Sequence, residues 1–243
     1  MIVDCFTFYN EIDMLKKRLR YLDSAVDKFV LVESTVTHRG EPKELYYEKH
    51  KEEFSEWNDK IVHVVVRDNP EDKNPWSREN FQRNCITRGL EGVPHDALVM
   101  VSDVDEIPNK DFLTLPNYAQ VCSFNMVAFQ YSFKYIQTHE PWFGTVMTRM
   151  SVLNYTTPQK LRKTRWSIPH YKNAGWHLSS FGDETFVANK IQNYAHCHDD
   201  VSQDKDEAIF KKFIEDGIHA DGKNILTKTP PDVMNSVPDE IIF

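Results

Sequence analysis

The chain has 243 residues, 40% hydrophobic and 12% aromatic, with 8 glycines and a formal net charge of −8. That length and composition suit one globular domain with a full core and exclude a low-complexity or fibrous chain. The negative charge, without any Lys/Arg run, excludes nucleic acid as the main partner, and no apolar stretch approaches the roughly 18 residues of a transmembrane helix.

Met1 leads straight into a predicted strand, leaving no room for a signal peptide. Cys5, Cys85, Cys122 and Cys197 are scattered, with no C-x-x-C, so reduced core thiols in a cytoplasmic protein are expected. Residues 2–8 read as the first strand. Asn10 is the expected N-cap of a helix, with Asp13 three residues on, and Ile12, Leu15, Leu19 and Leu22 mark its apolar face. Residues 28–32 form a second strand ending in Glu33-Ser34. A polar stretch over 35–42 precedes a helix around 45–54, a third strand over 61–66 and a charged loop over 68–77. Trp76 or Ser77 then opens a helix with Phe81, Cys85 or Ile86, and Leu90 on its apolar face.

Residues 98–101 are a short apolar run with β-branched side chains, read as a buried fourth strand. It ends in Asp103, Asp105 and Glu106, and Pro108 is expected to stop the ladder. Carboxylates packed so closely repel one another, and a hard divalent cation is the commonest reason to hold them together. The spacing of Asp103 and Asp105 puts both on one side of a regular strand and suits one metal bridging to a phosphate. A solvated acidic turn is the competing reading. The β-α-β-α-β-α-β order predicts an α/β fold with a mostly parallel central sheet and helices on both faces. Ligands of such sheets bind beyond the carboxyl ends of the strands. There Tyr9-Asn10-Glu11, Glu33-Ser34 and the acidic triplet converge.

Residues 123–136 are long, aromatic and β-prone, and 145–153 read as another strand; both suggest antiparallel additions. Lys160, Arg162, Lys163 and Arg165 form the densest positive patch, either a solvated helix face or a diphosphate clamp. Residues 174–184 read as a loop whose glycines let backbone approach a ligand. Asp183 or Ser180 then caps a helix over 184–194. His196 and His198 lie in a second His/carboxylate cluster, before a charged helix over 204–215. The reading is one catalytic domain over 1–226, with a nucleotide-binding half to about 108 and an acceptor half after it. Residues 227–243 are a tail that docks or frays.

Five pieces carry a family likeness: Phe8-Tyr-Asn-Glu11, Val32-Glu-Ser-Thr35 with Gly40-Glu-Pro42, Arg78-Glu-Asn-Phe-Gln-Arg-Asn84, Ser102-Asp-Val-Asp-Glu-Ile-Pro108 and Gly175-Trp-His-Leu-Ser179. In this order the chain resembles glycosyltransferase family 17, the family of the bisecting N-acetylglucosaminyltransferase that acts on β-linked mannose of N-glycans. The resemblance covers roughly residues 1–198. It implies a GT-A fold, a UDP-N-acetylglucosamine donor, a divalent metal (Mn²⁺ ahead of Mg²⁺) and inversion at the anomeric carbon. Eukaryotic members are anchored Golgi proteins. This chain looks like a bare catalytic domain of bacterial or viral type, a departure that speaks against an N-glycan acceptor. The acceptor expected is a glycan or other saccharide, with a mannose-containing glycan, a capsule or lipid-linked saccharide and a protein all open.

The chemistry assigns roles. Asp105 holds the metal, helped by Asp103 through ribose or water, and neutralises the departing diphosphate. His177, in preference to His196, is the further metal ligand. Arg83 and Arg162 contact the diphosphate, because a guanidinium fork matches phosphate oxygens. Asn10, Glu11 and Glu33 sit near base and ribose. Inversion needs a base opposite the leaving group, for which Glu184 and Asp183 rank ahead of Glu106. Trp142 and Trp176 either stack on sugar or belong to the core. Two rivals are a haloacid-dehalogenase-like phosphatase and a non-catalytic sugar-nucleotide-binding protein. The phosphatase pattern is weakened by Ile107, where a Thr or Val is expected, and by the motif's place on a fourth strand.

Overall fold

A computed structural model describes residues 1–72, 74–116, 119–193 and 206–243. Strands β1 (Ile2–Phe8), β2 (Lys28–Ser34), β3 (Ile61–Val66) and β4 (Leu98–Asp103) are parallel, in the spatial order β4-β1-β2-β3. Helices cover both faces, so these strands carry near-continuous Val, Leu and Phe rather than alternation. Helix α1 (Ile12–Leu22) brings Leu15, Leu19 and Leu22 into a core with Phe6, Phe29 and Leu31. A short α2 (Tyr46–Lys49) and a 3₁₀ turn (Lys51–Trp57) add Tyr47, Phe54 and Trp57 to that core, where one longer helix was expected. On the other face, α3 (Pro75–Asn84) and a 3₁₀ turn (Cys85–Gly89) precede Leu90; Ile86 and Leu90 share a core with Val3, Cys5, Val30 and Val32.

The second half supplies β5 (Glu106–Pro108), β6 (Val121–Gln130), β7 (Ser132–Ile136) and β8 (Trp142–Arg149). Then come α4 (Pro158–Lys163), β9 (His170–Tyr171), β10 (Gly175–Ser179) and α5 (Glu184–Asn193). The chain closes with α6 (Glu207–Asp216), β11 (Thr227–Lys228) and α7 (Pro231–Met234). Strand β8 runs antiparallel to both β4 and β6, as the antiparallel additions required. Tyr131, in the left-handed region at φ 67°, breaks the expected single strand into the β6–β7 hairpin.

Three local expectations are corrected. The N-cap of α1 is Glu11, not Asn10, and no side chain caps it. Pro108 does not end pairing, because residues 106–108 form β5, antiparallel to β10. Residues 175–179 are therefore a strand, sandwiched between β5 and β6, rather than a loop. Gly175 belongs there through close approach: a Cβ would lie 2.5 Å from the Ile107 carbonyl oxygen. The tail docks. β11 pairs with β7, and Ile241 is wholly buried in the core that α1 covers. Residues 194–205, including His196, Cys197 and His198, lie outside the described residues. Among the described residues no helix is long and apolar enough to cross a membrane.

Candidate active site

The carboxyl ends of β1 and β4 open into a cavity of about 900 Å³. Its wall is held by a buried hub. Arg18 projects from α1 into the sheet and binds Asp4 through Nε (2.8 Å) and Nη2 (2.7 Å). The same guanidinium donates to the carbonyls of Asp103, Val104 and Glu106 at 3.1, 3.1 and 2.7 Å, and to Ser102 Oγ at 2.7 Å. Leu178 of β10 donates its amide to the Asp105 carbonyl at 2.8 Å. The acidic turn is thereby fixed through its backbone, leaving its side chains to other partners.

Those side chains diverge, because residues 104–105 turn instead of continuing the strand. Asp103 Oδ1 accepts from Thr7 Oγ1 (3.0 Å) and Arg83 Nη2 (2.7 Å), and Oδ2 from Arg162 Nη2 (3.1 Å). Burial alone would raise the Asp103 carboxyl; Arg83 and Arg162 override it and hold it well below the usual range. Asp105 Oδ2 accepts from Lys190 Nζ of α5 at 2.8 Å, and its Oδ1 lies 3.7 Å from His177 Nε2. Burial works against the Asp105 charge too, and Lys190 and His177 outweigh it, so its carboxyl is lowered. The His177 ring stacks on Trp142, 4.2 Å between centroids. Burial lowers its basicity despite the pull of Asp105 and Glu106.

Glu106 is fully buried and committed. It accepts from the Asp103 amide (3.0 Å), Trp142 Nε1 (3.0 Å) and Arg162 Nη2. It therefore braces the turn and does not line the cavity, which removes it as a base for an acceptor there. Arg162 is buried between Asp103, Glu106 and the Gly144 carbonyl, so the solvated-face reading of the basic patch fails for it. Arg165 lines the same cavity, and its Nε is buried without a hydrogen-bond partner among the described residues. Burial and the neighbouring Arg162 both lower its proton affinity. An anion placed here would relieve that repulsion.

Of the sequence-selected residues, Glu11, Arg83, Asp103, Asp105, Arg162 and His177 meet on this one wall. Glu33 does not: it is buried and accepts from Lys43 Nζ (3.2 Å), the Tyr47 amide (3.3 Å) and His63 Nε2 (3.1 Å), anchoring α2. Asn10 also stands off the wall, its Oδ1 buried and unpartnered among the described residues. Asp183 caps α5 through the Phe186 amide at 2.9 Å, and neither it nor Glu184 lines the cavity. Trp142 lines the cavity, whereas Trp176 is core, edge-on to Tyr21. Sequence reasoning missed Arg18, Lys190 and Glu140. Arg18 had a signal, a charge set among Leu15, Leu19 and Leu22 opposite an Asp inside an apolar strand.

The donor set can be tested against a divalent cation. Asp105 and His177 present adjacent oxygen and nitrogen donors, and His177 Nδ1 is a buried atom without a partner among the described residues. Asp103 is spent on its two arginines. Among the described residues no group of three or more His, Cys, Asp or Glu is arranged to hold a metal. The residues fit a cation that completes its shell with phosphate oxygens, as Mg²⁺- and Mn²⁺-type centres do. A phosphatase nucleophile fits poorly, because Asp103 has both oxygens bonded to guanidinium groups.

The sequence matches the profile of glycosyltransferase family 17 over residues 1–232. The mouse and human β-1,4-mannosyl-glycoprotein 4-β-N-acetylglucosaminyltransferases are each 24% identical to it over 213 residues, covering 73% of this chain and 40% of theirs. The chain thus spans about two fifths of the length of the curated relatives it matches. Among solved structures it is similar to galactosyltransferase LgtC in complex with donor and acceptor sugar analogs. That likeness has 11% identity and a TM-score of 0.37, over 97% of this chain and 99% of that one.

Proposed function

Because the chain belongs to glycosyltransferase family 17, we propose that it moves N-acetylglucosamine from UDP-N-acetylglucosamine to a saccharide acceptor, with inversion at the anomeric carbon. The observation that carries this reading is the meeting of Asp103 and Asp105 with Arg83, Arg162 and Arg165 on one cavity wall. Fixed guanidinium groups stabilise negative charge as it develops on a leaving diphosphate. The names of the mammalian relatives support a mannose-containing glycan as acceptor.

The nucleoside end is the part of the cavity lined by Val36, His38, Trp76 and Asn80. Asn80 Oδ1 is a buried acceptor without a partner among the described residues, suited to the N–H of a uracil ring. Asp105 and His177 would hold a divalent cation, Mn²⁺ ahead of Mg²⁺, whose charge would offset that of the departing phosphates. Trp142, beside His177, offers an indole at the sugar end. An acceptor hydroxyl attacks the anomeric carbon as the bond to the β-phosphate oxygen breaks, and that electron pair leaves on UDP. The hydroxyl proton needs a carboxylate on the cavity wall. Glu11, Glu79, Asp103, Asp105 and Asp221 each face a cationic or histidine partner. Glu140 accepts a hydrogen bond from Gln137 at 3.5 Å and is in no salt bridge among the described residues, its charge only favouring the protonated form of the His219 ring from a distance, and we assign it the proton.

A thermal-shift screen of nucleotide sugars with and without Mn²⁺ tests the reading, since a ligand that binds the folded state raises its apparent stability. UDP-N-acetylglucosamine with Mn²⁺ is expected to give the largest shift, with slow hydrolysis of the donor when acceptor is absent. Asp105→Ala should abolish the Mn²⁺-dependent part of the UDP shift while the protein stays folded. Indifference to every UDP-sugar would overturn the assignment.

A further inference from the structure

We propose that Lys190 is a built-in competitor for the cation position at Asp105, holding that carboxylate until a divalent ion arriving with a diphosphate displaces it onto Glu11. The inference rests on the reading of Asp105 as a metal ligand and adds a residue that controls it.

Three observations carry it. Lys190 Nζ is 2.8 Å from Asp105 Oδ2, on the carboxylate whose other oxygen faces His177. A second carboxylate waits within reach: Glu11 Oε1 is 3.6 Å from the same Nζ. Glu11 is itself held in place, because its Oε2 accepts the amides of Tyr9 (3.3 Å) and Asn10 (3.1 Å). The ammonium therefore has two carboxylate acceptors within reach, one shared with the cation position and one not. The backbone of Lys190 cannot retreat, since Val187, Ala188 and Ile191 of α5 are buried in a core with Tyr131, Tyr135 and Phe210. Its flexible four-carbon stem can move without the helix.

The consequence is a conditional metal site. A divalent ion alone must expel an ammonium at hydrogen-bond distance and offers no new partner in return. With a diphosphate present, phosphate oxygens complete its shell, and Lys190, displaced toward Glu11 already within its reach, gains the phosphate as a new anionic neighbour. Apparent affinity is reduced by the fraction of molecules in the competent state. If Lys190 holds Asp105 in about nine molecules of ten, removing it strengthens metal binding about tenfold.

The test is titration of the full chain with Mn²⁺, free ion read by electron paramagnetic resonance, without nucleotide and then with UDP. Lys190→Met and Lys190→Gln should bind Mn²⁺ alone about tenfold tighter than the parent, and Lys190→Arg no tighter. Asp105→Asn should abolish binding in the parent and in the Lys190→Met background. A second readout is the thermal midpoint: with Asp105 left unpaired, Lys190→Met should start lower than the parent and gain more on adding Mn²⁺. If the parent binds Mn²⁺ through Asp105 and neither neutral variant binds it more tightly, this inference fails while the metal reading stands. Should none of them bind Mn²⁺ even with UDP, both are overturned.

Discussion

Arg18 and Asp4 form a wholly buried bidentate pair, 2.8 and 2.7 Å, directly beneath the acidic turn. The pair bears on function because the remaining Arg18 donors fix three carbonyls of that turn. Arg18→Met leaves Asp4 charged and unpaired in the core, and breaking a buried pair from one side costs about 3–5 kcal/mol. Urea unfolding should show that loss. Asp4→Val with Arg18→Met removes both charges and should recover most of the stability. The double variant should still transfer sugar poorly, because the carbonyls at 103, 104 and 106 stay unheld. Full activity in it would mean that Arg18 acts only on stability.

How much of this was legible in the sequence depended on the range of the interaction. The four parallel strands and α1 follow from local periodicity, and so does the acidic end of β4. The polar residues at strand ends were harder to read. Glu33 sits where a ligand contact is expected, but the nearby amide of Tyr47, the Lys43 ammonium and the His63 ring take its carboxylate instead. Lys190 carried no signal, because β10 brings α5 back over Asp105 through pairing with β5 and β6, distant in sequence. Residues 175–179 looked like a loop because glycine and small residues suit one. Their strand state comes from neighbours on both sides that need a partner.

The basic patch separates into two kinds of arginine. Arg162 answers Asp103 and buried Glu106, so Arg162→Gln should unfold the protein more readily as well as weaken UDP binding. Arg165 has no carboxylate partner among the described residues, and it donates Nη1 to the Arg162 carbonyl at 3.2 Å. Arg165→Gln should therefore leave the urea midpoint nearly unchanged while weakening UDP binding about tenfold, the worth of one charged hydrogen bond. Calorimetric titration with UDP at two salt concentrations checks this. Unchanged affinity would remove Arg165 from the diphosphate clamp.

Asp221 links pH to the loop of residues 219–223, which lines the cavity. Burial pushes its carboxyl up, but the amides of Lys223 and Asn224 outweigh that, and it falls from the ordinary 3.8 to about 2. The folded state thus binds its proton less readily than the unfolded chain does. Its contribution to stability is complete above pH 3.8 and is lost as pH falls toward about 2. The effect should be small, because much of the carboxylate faces water. Urea midpoints between pH 5 and about 2.5 should fall more steeply for the parent than for Asp221→Asn. Parallel slopes would show that the loop is not held by that charge.

The identity of the base divides the wall of the cavity from the start of α5. A proton acceptor must reach the hydroxyl it deprotonates within about 3 Å or through one water. Glu140 lies on the wall two residues before Trp142, whose ring stacks on His177 beside Asp105. Asp183 spends one oxygen on the Phe186 amide, and Glu184 stands outside the lining. Glu140→Gln keeps the shape and removes the charge, so kcat should fall at least about a hundredfold, the usual span of acid–base catalysis. The KM for the nucleotide sugar should stay within about twofold, because the group acts only on the transition state. Asp183→Asn and Glu184→Gln should retain activity to within about threefold, and Asp183→Asn should keep the helix cap, since Asn accepts the same amide as well as Asp does. If Glu184→Gln instead abolishes turnover and Glu140→Gln does not, the acceptor enters from the α5 side and the Glu140 assignment is wrong.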